Sequence, residues 1–157
     1  MNDTATAEVR WTRALSAEHR ARLMTVAREV TIPQGTRLFD EGGRADWFWI
    51  IRAGTVSLDM HLPGRRRTQV IETVGCGELV GWSWLFSPNV WQLGAEATTT
   101  VRALEFEARA VRRMCEIDTE LSSAVGQWVG RILARRLQAA RTRLLELYAP
   151  YGSGGAR

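Results

Sequence analysis

Glycine and proline punctuate the segment Thr31–Gly75 at short intervals, at Pro33, Gly35, Gly42, Gly43, Gly54, Pro63 and Gly64. Between them lie short runs rich in Ile, Val, Phe and Trp. Short β-rich runs separated by turns at close spacing predict an antiparallel sandwich, jelly roll or barrel. The clearest hairpin is "TVSLDMHL", then "PG", then "RRRTQVIETV", whose three arginines at the tip read as a solvated turn.

Helical patterns flank this segment. "LSAEHRARLMTVAREV" opens on Ser16 as an N-cap and repeats apolar residues at Leu15, Leu23, Val26, Ala27 and Val30, which predicts one amphipathic lead-in helix. After the β-rich segment, "ATTTVRALEF" reads as a final strand and "EARAVRRMCEI" as a short helix. From Asp118 to Tyr148 runs the longest helical pattern, with an apolar stripe at Leu121, Val125, Trp128, Ile132, Leu133, Leu137, Ala140, Leu144 and Leu147. A stripe so long and narrow suits a two-helix seam and predicts a homodimer through this helix.

With 157 residues, 45% of them hydrophobic, the chain suffices for one buried domain. That domain is expected over residues 11–148, with polar or glycine-rich flexible tails at 1–10 and 149–157. All 21 basic residues are arginine, and 17 acidic ones leave a net charge of +4. Arginines interspersed with carboxylates read as a mixed soluble surface rather than a nucleic-acid stripe. No apolar run approaches the length of a membrane span or follows a basic start, so the expected location is the cytoplasm and no membrane partner is expected. Cys76 and Cys115 lack metal-ligand spacing, and His19 and His61 have no nucleophile arranged beside them. Neither catalytic nor metal-binding residues are expected, and the chain does not read as an enzyme.

The order of elements, together with "IPQGT" and "LFDEGGRADWFWIIRAGTV", resembles the cyclic-nucleotide-binding domain family: Leu38 and Phe39, Gly42, small Ala45, the run Phe48–Ile51 and Gly54 match its first motif. Only Trp49 is awkward in that run. "ARRLQ", residues 134–138, resembles part of the dimerisation helix in the receptor proteins of this family, where the second arginine, here Arg136, lies near the ligand. The resemblance implies an α+β fold, an antiparallel β jelly roll over about 30–107 between an N-terminal helix and a long C-terminal dimerisation helix over about 118–148. It also implies a regulatory small-molecule sensor whose ligand is a cyclic nucleotide. The family's winged helix has no counterpart after the long helix, so sequence-specific reading of DNA is not expected.

In this family the segment beginning Gly-Glu-Leu is a phosphate-binding cassette. Its short helix N-terminus and turn amides surround the cyclic phosphate, the Glu holds a ribose hydroxyl, and an arginine neutralises the charge. Gly77, Glu78 and Leu79 match its first half. Where the family has arginine, a small polar residue and alanine, this chain has Trp91, Gln92 and Leu93, or Val90 in the arginine's place if the register is one earlier. No basic residue occurs between Thr68 and Val101. Losing such a charge-assisted contact is expected to weaken cyclic-nucleotide binding by at least about one or two powers of ten. The hydroxyls that contact adenine in the receptor proteins are replaced by Ala140 and Arg141. The expected ligand-binding residues are therefore Gly77, Glu78, Leu79, Trp91, Gln92 and, as the substitute cation, Arg136. Trp82, Trp84, Phe86 and Trp91 either fill the vacated pocket or line it for a flat ligand, with Asn89 or Gln92 as donors. No other cofactor is expected. The alternative function is a ligand-free dimeric domain that binds a protein partner.

Overall fold

The computed structural model describes residues 9–152, with side chains described through Ala149. Two short helices, α1 (Trp11–Ala14) and α2 (Ala17–Met24), lead into eight strands. These are β1 (Ala27–Ile32), β2 (Arg37–Phe39), β3 (Trp47–Ala53), β4 (Val56–His61), β5 (Thr68–Val74), β6 (Leu79–Val80), β7 (Gly94–Ala97) and β8 (Val101–Glu107). Helices α3 (Ala108–Ile117) and α4 (Thr119–Gly152) follow.

The strands form two four-stranded antiparallel sheets, ordered β1-β8-β3-β6 and β2-β7-β4-β5. Turn spacing left sandwich, jelly roll and barrel open, and the arrangement is the jelly roll that the family resemblance implied. The β4–β5 hairpin pairs Val56 with Val74 and His61 with Thr68, as its sequence indicates. Between the sheets, Phe48 stacks on Phe106 at 4.8 Å and on Trp84 at 4.3 Å, with Ile50, Leu104, Val56 and Leu58 buried around them. Trp49 is accommodated because its Nε1 donates to Glu105 Oε2 at 3.0 Å while its ring stays buried.

The lead-in helix is shorter than its apolar spacing suggested. Ser16 does cap it, accepting from His19 N at 3.1 Å, but it stops at Met24, and Ala27–Ile32 is a strand. The β-branched residues Val30, Thr31 and Ile32 complete an antiparallel ladder with β8, pairing with Ala103, Arg102 and Val101, and that long-range partner overrides the local helical pattern. The stretch "ATTTVRALEF" likewise divides: Ala97 ends β7, Thr98–Thr100 turn, and β8 begins at Val101. Gly54 makes the approach to this turn, with φ of 91° and no room for a Cβ, which would lie 2.4 Å from Thr100 O.

Val9 lies within the expected N-terminal tail, yet it is buried and its carbonyl accepts from Trp128 Nε1 at 2.7 Å. This bond ties the start of the described chain to α4. Asp118 separates α3 from α4 and caps the latter, its Oδ1 accepting from Glu120 N and Leu121 N, both at 3.1 Å. The apolar stripe of α4 then divides. Leu121, Val125, Trp128, Val129 and Ile132 are buried against the domain, whereas every described residue from Leu137 to Ala149 is exposed.

Candidate functional site

The segment Gly77–Leu93 leaves β5, forms β6 against β3 and returns into β7. Its first residues are fastened from inside. Gly77, at φ of 81°, donates to Ile51 O at 2.7 Å and its carbonyl accepts from Trp11 N at 3.0 Å, while Ile51 N donates to Glu78 O at 3.1 Å. Leu79 is buried.

Between Gly81 and Val90 there are turns and no helix. The helical N-terminus that the resemblance implied is therefore not formed among these residues. Pro88 has no amide to pair with Trp84 O, the carbonyl four residues before it, and side chains bond the loop's carbonyls instead. Asn89, at φ of 58°, places its Nδ2 at 3.2 Å from Ser83 O and at 2.9 Å from Trp84 O and Phe86 O. Arg112 Nη1 donates to Trp84 O at 2.7 Å. Asn89 is thus committed to holding the loop, and its amide is not left for a ligand. Backbone bonds sew the loop to the glycine turn, Trp91 N to Gly43 O and Gly42 N to Trp91 O, each at 2.9 Å.

The tryptophans turn inward. Trp84 is fully buried on Phe48. Trp91 is 5% exposed, stacks on Phe39 at 3.8 Å between centroids with planes 12° apart, and covers Gly81. Glycine is required there: φ is 92°, and an added Cβ would stand 2.5 Å from the indole. Phe39 stacks in turn on Trp49 at 5.8 Å. Trp82 remains half-buried, edge-on to the exposed Phe86.

Charge comes from α4. Arg136 Nε lies 3.0 Å from Glu72 Oε2 on β5, close enough for an ion pair but outside hydrogen-bonding geometry. Arg135 Nη1 lies 4.0 Å from Glu78 Oε2, and Glu78 Oε1 accepts from Gly75 N at 3.4 Å. Burial pushes the Glu78 carboxyl above the usual range, with Arg135 and the Gly75 amide pulling the other way. Burial also lowers the Arg136 pKa, opposed chiefly by Glu72.

Arg136 borders two small cavities. One, of about 10 Å³, lies beside Glu72, Glu78, Leu79 and Arg135. The other, of about 20 Å³, lies beside Phe39, Gly81, Trp82, Trp91 and Gln92. Each is about the size of a water site, whereas pockets for small ligands typically run to about 300–1,000 Å³. In this conformation the rings occupy the space between the roll and the helix.

Of the residues singled out from sequence, Glu78 and Leu79 meet Arg136 at the first cavity, and Trp91 and Gln92 meet it at the second. Gly77 borders neither and packs under the Arg10 side chain. The exposed Gln92 donates through Nε2 to Val90 O at 3.3 Å. Glu72, Arg135 and Phe39 were not anticipated as site residues. Phe39 carried a signal in the first motif, whereas Glu72 looks in sequence like any polar strand residue. Among the described residues no group of three or more His, Cys, Asp or Glu could hold a metal ion, and no helix is long and apolar enough to cross a membrane.

Residues 29–118 match the family model for the cyclic nucleotide-binding domain. A curated relative, the CRP-like cAMP-activated global transcriptional regulator of Mycobacterium tuberculosis, is 29% identical over 118 residues. The match covers 75% of this chain and 50% of that protein, so the chain spans about half the length of the curated relatives it matches. Among solved structures, the N-terminal domain of a Streptomyces coelicolor transcriptional regulator is 28% identical with a TM-score of 0.67, covering 85% of this chain and 94% of that one. The Thermus thermophilus catabolite activator protein, 21% identical with a TM-score of 0.70, covers 88% of this chain and 62% of that one and shares the fold. With the family model matching more than half of its length, the chain belongs to the cyclic nucleotide-binding domain family.

Proposed function

We propose that this chain is a regulatory ligand-sensing domain that dimerises through α4 and reports occupancy of the site between the roll and that helix. One observation carries the reading: Arg136, on α4, borders both cavities, so a ligand entering either would change the contacts of the helix itself. Beyond Ile132 the helix presents Leu137, Leu144 and Leu147 to solvent, an apolar seam suited to a second copy. The curated relatives are named as cAMP-activated transcriptional regulators, and a regulatory role here follows that example.

The ligand site comprises Glu78, Leu79, Trp91, Gln92 and Arg136, with Gly77 shaping the turn beneath them. Because residues 68–101 contain no arginine, cyclic AMP is expected to bind about one to two powers of ten more weakly than to an intact cassette. The stacked Trp91 also favours a second reading, a dimeric domain that binds a protein partner and no small ligand.

Calorimetric titration with cyclic AMP and cyclic GMP, with tryptophan emission followed in parallel, separates the two. Saturable binding at one site per chain supports the sensor. Silence up to millimolar nucleotide sinks the cyclic-nucleotide form of it. Light scattering tests the seam: Leu144→Arg should turn a dimer into a monomer, and an unchanged mass would remove this interface.

A further inference from the structure

Two carboxylates and two guanidiniums meet where β5 and β6 face α4: Glu72, Glu78, Arg135 and Arg136. Their formal charges cancel. An anion entering beside Arg136 would meet a cation that already has a carboxylate 3.0 Å away. Among the described residues, Arg136 is also the only basic one bordering the aromatic cavity. Whatever holds Arg136 thus decides whether that cavity accepts negative charge.

We propose that Glu72 is the resident counter-anion of Arg136 and the residue that sets the site's selectivity against anionic ligands. This deepens the sensor reading and rests on it for the ligand site. The pair is built for exchange. The Glu72 side chain is 28% exposed against 16% for Arg136, so the carboxylate has water to turn into while the guanidinium stays in place. Glu72 approaches Arg136 at Nε, on one edge of a guanidinium with five N–H donors, so the Nη groups remain to meet an incoming oxyanion. An uncharged ring lying against Trp91 and Phe39 makes no such demand. In the native chain the site favours uncharged planar ligands over phosphate esters, and removing Glu72 should reverse that preference.

The test compares the native protein, Glu72→Gln and the double variant Glu72→Gln/Arg136→Gln. Each is titrated with cyclic AMP and with adenosine, which share base and ribose and differ in the charged phosphate. Thermal unfolding is recorded in inorganic phosphate and in chloride at matched ionic strength. Glu72→Gln should gain about tenfold or more in cyclic-AMP affinity with adenosine unchanged, and phosphate should raise its Tm by more than that of the native protein, in which only the general salting effect operates. The double variant should lose both gains. A phosphate response in Glu72→Gln without nucleotide binding supports the counter-anion and removes the nucleotide from the sensor reading. If the single variant is unfolded in chloride, restoration by phosphate supports the proposal and failure to restore it overturns it. Equal cyclic-AMP affinity and an equal phosphate response in native protein and Glu72→Gln also overturn it, and nucleotide binding by the native chain would then leave the sensor reading standing.

Discussion

Trp91 is buried, and its indole lies between Phe39 and the bare backbone of Gly81. Its contribution is apolar contact and stacking, both lost on truncation. Trp91→Ala should therefore destabilise the domain by about 3–5 kcal/mol, measured by denaturant unfolding. A loss below about 1 kcal/mol would mean that the ring is not part of the core. Glu78 offers a test of the charge cluster. Folding raises its pKa, mainly through burial, so its contribution to stability is present below the ordinary value near 4.5 and lost as pH rises through the folded value. Glu78→Gln imitates the protonated form. Its Tm relative to the native protein should be higher at pH 7 than at pH 4, and the opposite order would contradict the burial argument.

At the scale of elements, α4 is held by two devices at its buried end. Asp118 caps it, and its pKa is lowered, first by the amide of Leu121 and further by Arg22, which pairs with it. A lowered folded value means stability present above the ordinary value near 3.8 and lost as pH falls through the folded one. Asp118→Asn should keep most of the cap while flattening the acid limb of the Tm-versus-pH curve, whereas Asp118→Ala should lower Tm at neutral pH as well. Trp128 supplies the second device by donating to Val9 O. Trp128→Phe keeps most of the ring volume but strands a buried carbonyl, which should cost about 1–3 kcal/mol. Elements also show where sequence patterns mislead. Leu23, Val26 and Val30 repeat as on a helix, yet the last of these pairs with Ala103 in a ladder that no local window contains.

For the whole molecule, the exposed half of α4 matters most. At 34 residues the helix spans about 51 Å, well past the roll it packs on. If its apolar seam closes on a second copy, the folded state is linked to association, and Tm should rise with protein concentration in the native chain but not in Leu144→Arg. A Tm independent of concentration in both would argue against the dimer. Arg143, on the same stretch, donates to Ile71 O at 3.0 Å on the edge strand of the hairpin, so helix and sheet remain in contact beyond the buried stripe.

Local chemistry determined much of this protein. Glycines at forced turns, β-branched runs between them and one long helical stripe were enough to read an antiparallel β domain, its hairpin, the short helix and the long one, and the family resemblance narrowed the β domain to a jelly roll. The Gly-Glu-Leu turn and the arginine-free stretch after it marked out the candidate site proposed here. Three things were decided only by tertiary structure. Ala27–Ile32 became a strand because β8 supplied a ladder. The loop after Gly81 is held as turns by Asn89 and by Arg112, which reaches Trp84 O from α3. Glu72 came to face Arg136 because β5 packs against α4, across 64 residues of chain. The physical reason is common to all three: propensity and turn chemistry act over a few neighbouring residues, whereas pairing, burial and charge compensation depend on distances through space that no sequence window contains.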